Sequence, residues 1–232
     1  MWLHPVYLAQ PRLELAQVLP RSAANMATLR AIELAATPNN WRLFMLRRSD
    51  PNFLAFQQKI HLRDRATCQF CGFQSPDNLE TVNLNGNYLD NKKNNLATAC
   101  GLCAQCFFLE GVGKSDFGGG VLIYLPELQQ NELNALCHEI FAAMVYHLRW
   151  ATHAKNIYRS LKMRAQLIEE KVGEGLSNPA HFGQLLGDAS EGKSSAVQST
   201  IASSFRLLPN MARFSTEIVN WSKVGLACFE NG

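Results

Sequence analysis

The 232-residue chain carries 22 Lys and Arg against 19 Asp and Glu, a net charge of +3 with a pI near 8.5, and is 47% hydrophobic and 18% charged. This composition excludes an intrinsically disordered chain and a coiled-coil rod, and +3 is too mild for the electrostatic footprint of a dedicated nucleic-acid binder. Apolar runs such as Phe141-Ala-Ala-Met-Val-Tyr146 fall far short of the ~18 residues a membrane span needs. The N-terminus Met1-Trp-Leu-His-Pro-Val-Tyr7 lacks the basic start and apolar stretch of a secretory signal, so the chain is expected to stay inside the cell.

In chain order, residues 1–38 carry three prolines before an apolar-periodic stretch, Ala24 to Ala36, which reads as an extension ending in a helical turn or two. Phe53, Phe56 and Ile60 then recur at helical spacing, with Asp50 as N-cap and Pro51 at the first helical position. From Thr67 to Phe108 the chain is turn-rich, with Ser75-Pro-Asp-Asn, Asn85-Gly-Asn and Asp90-Asn-Lys-Lys-Asn-Asn between brief apolar pairs, so small strands joined by tight turns are expected. A glycine-rich loop over 111–120 leads into a strand at Val121–Leu125, which Pro126 stops. Leu133, Leu136, Ile140, Met144 and His147 predict an amphipathic helix from about Asn131 to Trp150. Ile157, Leu161, Arg164 and Ile168 mark a second helix, closed by Glu169-Glu-Lys171 and Gly173. A polar loop, with room for one short turn, is expected to run on to about Ser195. Helices over Ala196–Leu208 and Ala212–Cys228 follow, separated by Pro209-Asn210.

The cysteines carry the chemistry. Five of the seven, at 68, 71, 100, 103 and 106, fall in one stretch, with Cys137 and Cys228 apart from it. Such clustering in a reducing compartment reads as metal binding rather than disulfide stapling. Cys68-Gln-Phe-Cys71 and Cys100-Gly-Leu-Cys103 are Cys-x-x-Cys pairs, and two tight turns of this kind supply four soft thiolates to one zinc ion in a closed tetrahedron. Such a site leaves the metal no open position, so one structural Zn²⁺ is expected. Gly72 after the first pair suits the positive φ of a knuckle turn. Cys103-Ala-Gln-Cys106 has the same spacing, so Cys106 is an alternative ligand and the second pair is either 100 and 103 or 103 and 106.

The run Ile60-His-Leu-Arg-Asp-Arg-Ala-Thr-Cys-Gln-Phe-Cys-Gly72, with Glu80-Thr-Val-Asn-Leu84 and Asn95-Leu-Ala-Thr-Ala-Cys-Gly-Leu-Cys103, resembles the ββα-metal core of HNH endonucleases that carry an added structural zinc. That resemblance implies Cys68, Cys71, Cys100 and Cys103 as the ligands. Nuclease chemistry needs a histidine general base and groups that hold a catalytic Mg²⁺. Where the family has Asp-His this chain reads Asn83-Leu84, and where it has Asn or His after the last pair it reads Ala104. No histidine lies between Cys71 and Phe108; the six are at 4, 61, 138, 147, 153 and 181. The resemblance therefore implies a non-catalytic HNH-like unit; the alternatives are a nuclease whose base comes from His61 or His138, and a nucleic-acid-binding zinc module.

A wider resemblance rests on Trp41-Arg-Leu-Phe44, Thr81-Val-Asn-Leu-Asn-Gly-Asn-Tyr88, Cys103-Ala-Gln-Cys-Phe-Phe108, Gly118-Gly-Gly-Val-Leu-Ile-Tyr-Leu-Pro-Glu-Leu128, Asn156-Ile-Tyr-Arg-Ser160, Gly173-Glu-Gly175 and His181-Phe-Gly-Gln-Leu185. From about residue 39 onward the chain resembles the DotN (IcmJ) family of subunits of the Dot/Icm type IVB secretion system. The resemblance implies a cytoplasmic adaptor, peripheral at the inner membrane, that binds the C-terminal tail of a DotL-like coupling ATPase together with other coupling-complex subunits. Support of effector recruitment and export follows, with no enzymatic step, no specific nucleic acid and no direct membrane insertion.

The expected architecture is α+β and helix-dominated, a small HNH-like ββα/zinc-knuckle unit packed on C-terminal helices. Its expected divisions are an extension at 1–38, a zinc-binding unit at 39–110 and a helical region at 111–232. Gly111-Val-Gly-Lys-Ser115 is similar to the end of a phosphate-binding loop but has Phe108 where the first glycine belongs, and reads as a flexible loop. Lys92-Lys93 reads as a solvated turn. Glu110, Asp116 and His138 follow no ligand spacing and are set aside as a second site. Phe107, Phe108 and Trp150 are either core contacts or aromatic anchors for a partner, with core the simpler reading.

Overall fold

The computed structural model describes residues 29–37, 39–190 and 204–220. Residues 29–37 run without helix along the body of the protein. Arg30 N–H donates to Gln69 O at 2.9 Å, Ala35 N–H to Cys106 O at 2.9 Å, and Leu109 N–H to Ala35 O at 2.9 Å. The helical turn expected before Ala36 is thus absent over 29–36, because these backbone groups pair with the cysteine region instead; residues 24–28 lie outside the described residues. Ile32 is buried, so this part of the segment expected to be an extension contributes to the core.

Helix α1 (Asn40–Arg47) leads to α2 (Pro51–Arg63), which begins as its sequence dictates: the Asp50 side chain accepts from Asn52 N–H, and Pro51 occupies the first turn. Phe53 and Ile60 are its buried residues. Strand β1 (Leu79–Asn83) pairs antiparallel with β2 (Leu96–Cys100), Leu79 opposite Cys100 and Asn83 opposite Leu96. The connection between them is held by amides. Asn83 Nδ2 donates to Asn87 O and Asp90 O, and Asn95 Nδ2 donates to Asp90 O and Asn85 Oδ1, which accounts for the asparagine-rich sequence. The end of α2 is clamped to β2 by Arg63-Asp64. Arg63 donates to Lys93 O and Leu96 O, and the Asp64 carboxylate accepts from Thr98 N–H and Oγ1–H at 3.0 and 2.8 Å. Burial opposes ionisation of Asp64, yet the bonds from Arg63 and Thr98 outweigh it and hold the carboxyl below its usual range.

After β2 come a short helix, α3 (Gly101–Ala104), and 3-10 turns at Gln105–Phe107 and Leu109–Gly111. Strand β3 (Gly120–Tyr124) pairs antiparallel with β4 (Phe205–Pro209), Gly120 opposite Pro209. Between them lie α4 (Gln130–Val145), α5 (Ala151–Met163), α6 (Gln166–Lys171) and α7 (Pro179–Ser190). Over the described residues the result is α+β and helix-dominated, with two two-stranded antiparallel sheets. One continuous core joins the sheets; in it Phe44 meets Tyr88 and Phe117 edge-on and Phe108 at a tilt, and Leu133, Leu136, Ile140 and Phe141 of α4 belong to the same core. Phe108 is fully buried, while Phe107 and Trp150 are partly buried and packed on the core.

Four expectations are corrected. Helix α4 stops at Val145 rather than Trp150, because the chain reverses through His147 at φ 52°. The helix expected across Ile157–Ile168 is split at Arg164, whose carbonyl accepts from Tyr124 N–H of β3 and whose guanidinium pairs with Glu127 at 2.9 Å. The loop expected after Gly173 contains α7, which Asn178 starts by accepting from Ala180 and His181 N–H ahead of a buried Phe182. Here Gly183 allows α7 to rest backbone against backbone on Leu109-Glu110, where a Cβ would collide. Lastly, Phe205–Leu208 is strand rather than helix, since it is the partner that completes β3. Residues 196–203 of that expected helix lie outside the described residues, and the helix expected over Ala212–Cys228 begins as a 3-10 turn at Met211–Phe214, with 221–228 likewise outside.

Candidate metal centre

The two Cys-x-x-Cys turns meet. The first is a tight loop closed by the Thr67–Gln74 bridge, in which Cys68 N–H donates to Phe73 O, Gly72 N–H donates to Cys68 O, and Gly72 sits at φ +77°. The second is the corner between β2 and α3, with Cys100 at the strand end and Cys103 in the helix. The Sγ atoms of Cys68, Cys71, Cys100 and Cys103 all lie within 4.8 Å of one another, and all four residues are buried. Cys71 Sγ and Cys100 Sγ are 3.6 Å apart, close to the edge of a tetrahedron with metal–sulfur bonds of about 2.3 Å. The donor set is soft, four-fold and closed to water, so these residues fit a metal ion.

Electrostatics favour the same reading. Burial, and then the adjoining sulfurs, push the Cys103 thiol well above its usual range, and burial does the same for Cys100. For Cys68, burial is outweighed by hydrogen bonds from Cys100, Cys103 and Cys71, which draw its thiol well below. Buried thiols this close together cannot all ionise unless a cation lies beside them.

Cys106 stands apart from this group. Its thiol donates to Leu102 O at 3.4 Å, and burial pushes it up to about 12, a neutral buried thiol. The four sulfurs brought together are those of 68, 71, 100 and 103. Cys137 is buried on α4, and Cys228 lies outside the described residues.

Two further residues reach the cluster, both from α4. Asn134 Nδ2 lies 3.3 Å from Cys103 Sγ, and His138 Nε2 lies 3.3 Å from Cys100 Sγ. The His138 ring also stacks on Phe73, centroids 3.8 Å apart and planes 1° from parallel. Burial drives this imidazole down to about 3, with the charge on Cys68 opposing. From sequence alone His138 is set aside and Asn134 is not singled out; the two are polar residues at i, i+4 on an otherwise apolar helix face, which points to the cysteines only once the fold brings them together.

Of the positions that the expected HNH resemblance assigns to base and metal groups, Asn83 is committed to structure. Its Oδ1 accepts from Arg47 and its Nδ2 bonds two loop carbonyls. Leu84 follows it, and Ala104 is buried. His61 bonds the Thr81 hydroxyl at 3.2 Å, with burial holding its imidazole below the usual range. Glu110, Asp116 and His138 have separate surroundings: Asp116 is exposed beside Arg213 at 3.7 Å, and His138 is at the cysteines. Glu110 lines a cleft of about 440 Å³ with Lys114 and Gly183 beneath α7.

Burial pushes the Glu110 carboxyl up to about 7, with backbone bonds and Lys114 opposing. A raised acid binds its proton more tightly in the folded state, so stability falls as pH climbs from about 4.5 to about 7 and is level above. Thermal melts from pH 4.5 to 8 should show this slope in the parent chain and a flatter profile in Glu110→Gln; identical profiles would remove Glu110 from the account.

Among the described residues no helix is long and apolar enough to cross a membrane. No family model matches the chain. Over 195 residues, 84% of this chain, it is 49% identical to the type 4 apparatus protein DotN of Legionella pneumophila subsp. pneumophila (strain Philadelphia 1 / ATCC 33152 / DSM 7513), of which the match spans 91%.

Proposed function

Because the chain belongs to the DotN family of type IV secretion apparatus proteins, we propose that it is a non-enzymatic adaptor of the secretion coupling complex, stapled by one structural zinc. The observation that carries this reading is the 49% identity across 91% of the secretion subunit. The ligands are Cys68, Cys71, Cys100 and Cys103. Zinc held by four thiolates has no open position and supplies a crosslink rather than a reaction. The knuckle over 67–74 and the β2–α3 corner are thereby fixed against α2 and α4, which makes a rigid platform of the cysteine unit and the helices that follow.

The partner is the C-terminal region of a DotL-like coupling ATPase, with other coupling-complex subunits, and the outcome is effector recruitment and export at the cytoplasmic side of the inner membrane. A tail segment ordering on such a platform loses conformational entropy, which burial of a few apolar anchors offsets. Of the segments expected from the sequence, 39–110 is the zinc-binding unit and 111–232 the helical part of the same globule.

The test is purification of the tagged protein from its native cell, with mass spectrometry of co-eluting chains and metal analysis of the same sample. Recovery of a coupling ATPase with about one zinc per chain is the expected result. Recovery of nucleic acid instead, with plasmid nicking in Mg²⁺ or Mn²⁺ that His61→Ala abolishes, would replace this reading by the nuclease one.

A further inference from the structure

Helix α4 buries an apolar face of Leu133, Leu136, Cys137, Ile140 and Phe141, yet Gln130, Asn134 and His138 are buried on it too. They recur every four residues and therefore share one face. Their bonds form a continuous path. Leu207 N–H of β4 donates to Gln130 Oε1 at 2.8 Å, and Gln130 Nε2 donates to Leu207 O at 2.9 Å and to Asn134 Oδ1 at 3.0 Å. Asn134 Nδ2 then donates to Leu102 O and toward Cys103 Sγ, each at 3.3 Å, with Cys106 Sγ farther off at 3.8 Å. One turn on, His138 Nε2 meets Cys100 Sγ at 3.3 Å while its ring stacks on Phe73 of the other knuckle.

We infer that this stripe is the outer hydrogen-bonding layer of the metal centre: Asn134 and His138 are positioning residues that donate N–H bonds to two of the four thiolates, and Gln130 registers that layer on β4. The inference rests on the zinc reading above. A thiolate can only accept, so each N–H draws electron density from its sulfur, partly neutralising the excess negative charge that four thiolates place around a divalent ion in a dry interior. The sulfur becomes less nucleophilic and the metal harder to strip. Such outer partners are worth roughly 10- to 100-fold in metal affinity. The arrangement also fixes the two knuckles to one helix, so the centre and the β3–β4 half of the protein are ordered together.

The experiment compares the parent chain with His138→Phe, Asn134→Leu and the donor-retaining His138→Gln. Zinc transfer to a chromogenic chelator is timed, and the sulfur-to-cobalt absorption is recorded after Co²⁺ substitution. Release about ten-fold faster or more in the two donor-free variants, with the cobalt band moved to lower energy and both effects largely reversed in His138→Gln, is the expected result. Folded, zinc-loaded His138→Phe or Asn134→Leu protein with parental release and an unmoved band overturns the inference while leaving the zinc reading intact. A parent chain that purifies folded without zinc overturns the zinc reading itself, and this inference with it. Should one donor-free variant not fold, the other carries the same comparison.

Discussion

Cys68→Ser or Cys100→Ser is expected to yield protein that is insoluble or cut rapidly by protease, rather than a folded chain with a selective binding defect. Both residues are fully buried with their sulfurs in the four-cysteine group. A structural zinc contributes roughly 10–16 kcal/mol of apparent binding free energy in small zinc peptides, whereas a whole domain is stable by only about 5–15 kcal/mol. Losing one of four ligands therefore removes an amount comparable to the entire stability. The region has little else to rely on, since β1 and β2 are five residues each and the loop between them is held by side-chain amides. Circular dichroism, limited proteolysis and metal analysis read this out. Soluble, folded, zinc-free Cys68→Ser protein would refute the structural role of the metal.

Arg47→Met is the second large effect, expected to lower stability by about 3 kcal/mol, equivalent to roughly 6–12 °C in Tm for a chain of this length. Arg47 is only 7% exposed. Its guanidinium bonds Asn83 Oδ1 at 2.5 Å and the Thr81 carbonyl, and it lies over the rings of Phe53 and Tyr88 at 4.5 and 4.6 Å. Burial lowers its pKa to about 10, with Tyr88 and Glu80 opposing, so at neutral pH it remains the charged donor on which two buried acceptors depend. Methionine keeps much of the volume and strands both acceptors, each at a cost of about 1–3 kcal/mol. Arg47→Lys should fall between, because a single ammonium cannot reproduce the planar fork. Urea denaturation at pH 7 measures both. A change below about 0.5 kcal/mol in Arg47→Met, the ordinary surface value, would mean that the stack of rings alone fixes α1.

What could be read from the sequence was what local geometry controls. Asp50-Pro51 announced α2, and the doubled Cys-x-x-Cys announced the cluster, because a two-residue spacing constrains where two sulfurs point whatever lies around them. Cys106 could not be sorted from Cys103 on spacing. That took the fold, which turns its thiol toward Leu102 O. Residues 205–208 read as the end of a helix because β4 is buried throughout, Arg206 included, so neither a two-residue nor a helical alternation shows. Asn178-Pro179 was a legible start for α7, overlooked because the following Gly-, Ser- and Asn-rich text suggested a loop. Arg47, Asn134 and His138 lay beyond reach for a different reason. Their partners are 31–38 residues away in sequence, and polarity on an apolar face becomes informative only once its partner is known.

The pairing of β3 with β4 bears on the order in which the molecule assembles. The hairpin of β1 and β2 joins neighbours in sequence, but Tyr124 finds Phe205 across an intervening stretch of about 80 residues. During synthesis the four clustered cysteines are all present once Cys103 has emerged, whereas β3 must wait, edge exposed, until α4 to α7 have been made. The last strand to arrive is also the one whose Leu207 anchors Gln130. Pairing of β4 with β3 thus also completes the hydrogen-bonded path that runs from Leu207 through Gln130 to Asn134 beside the cysteines.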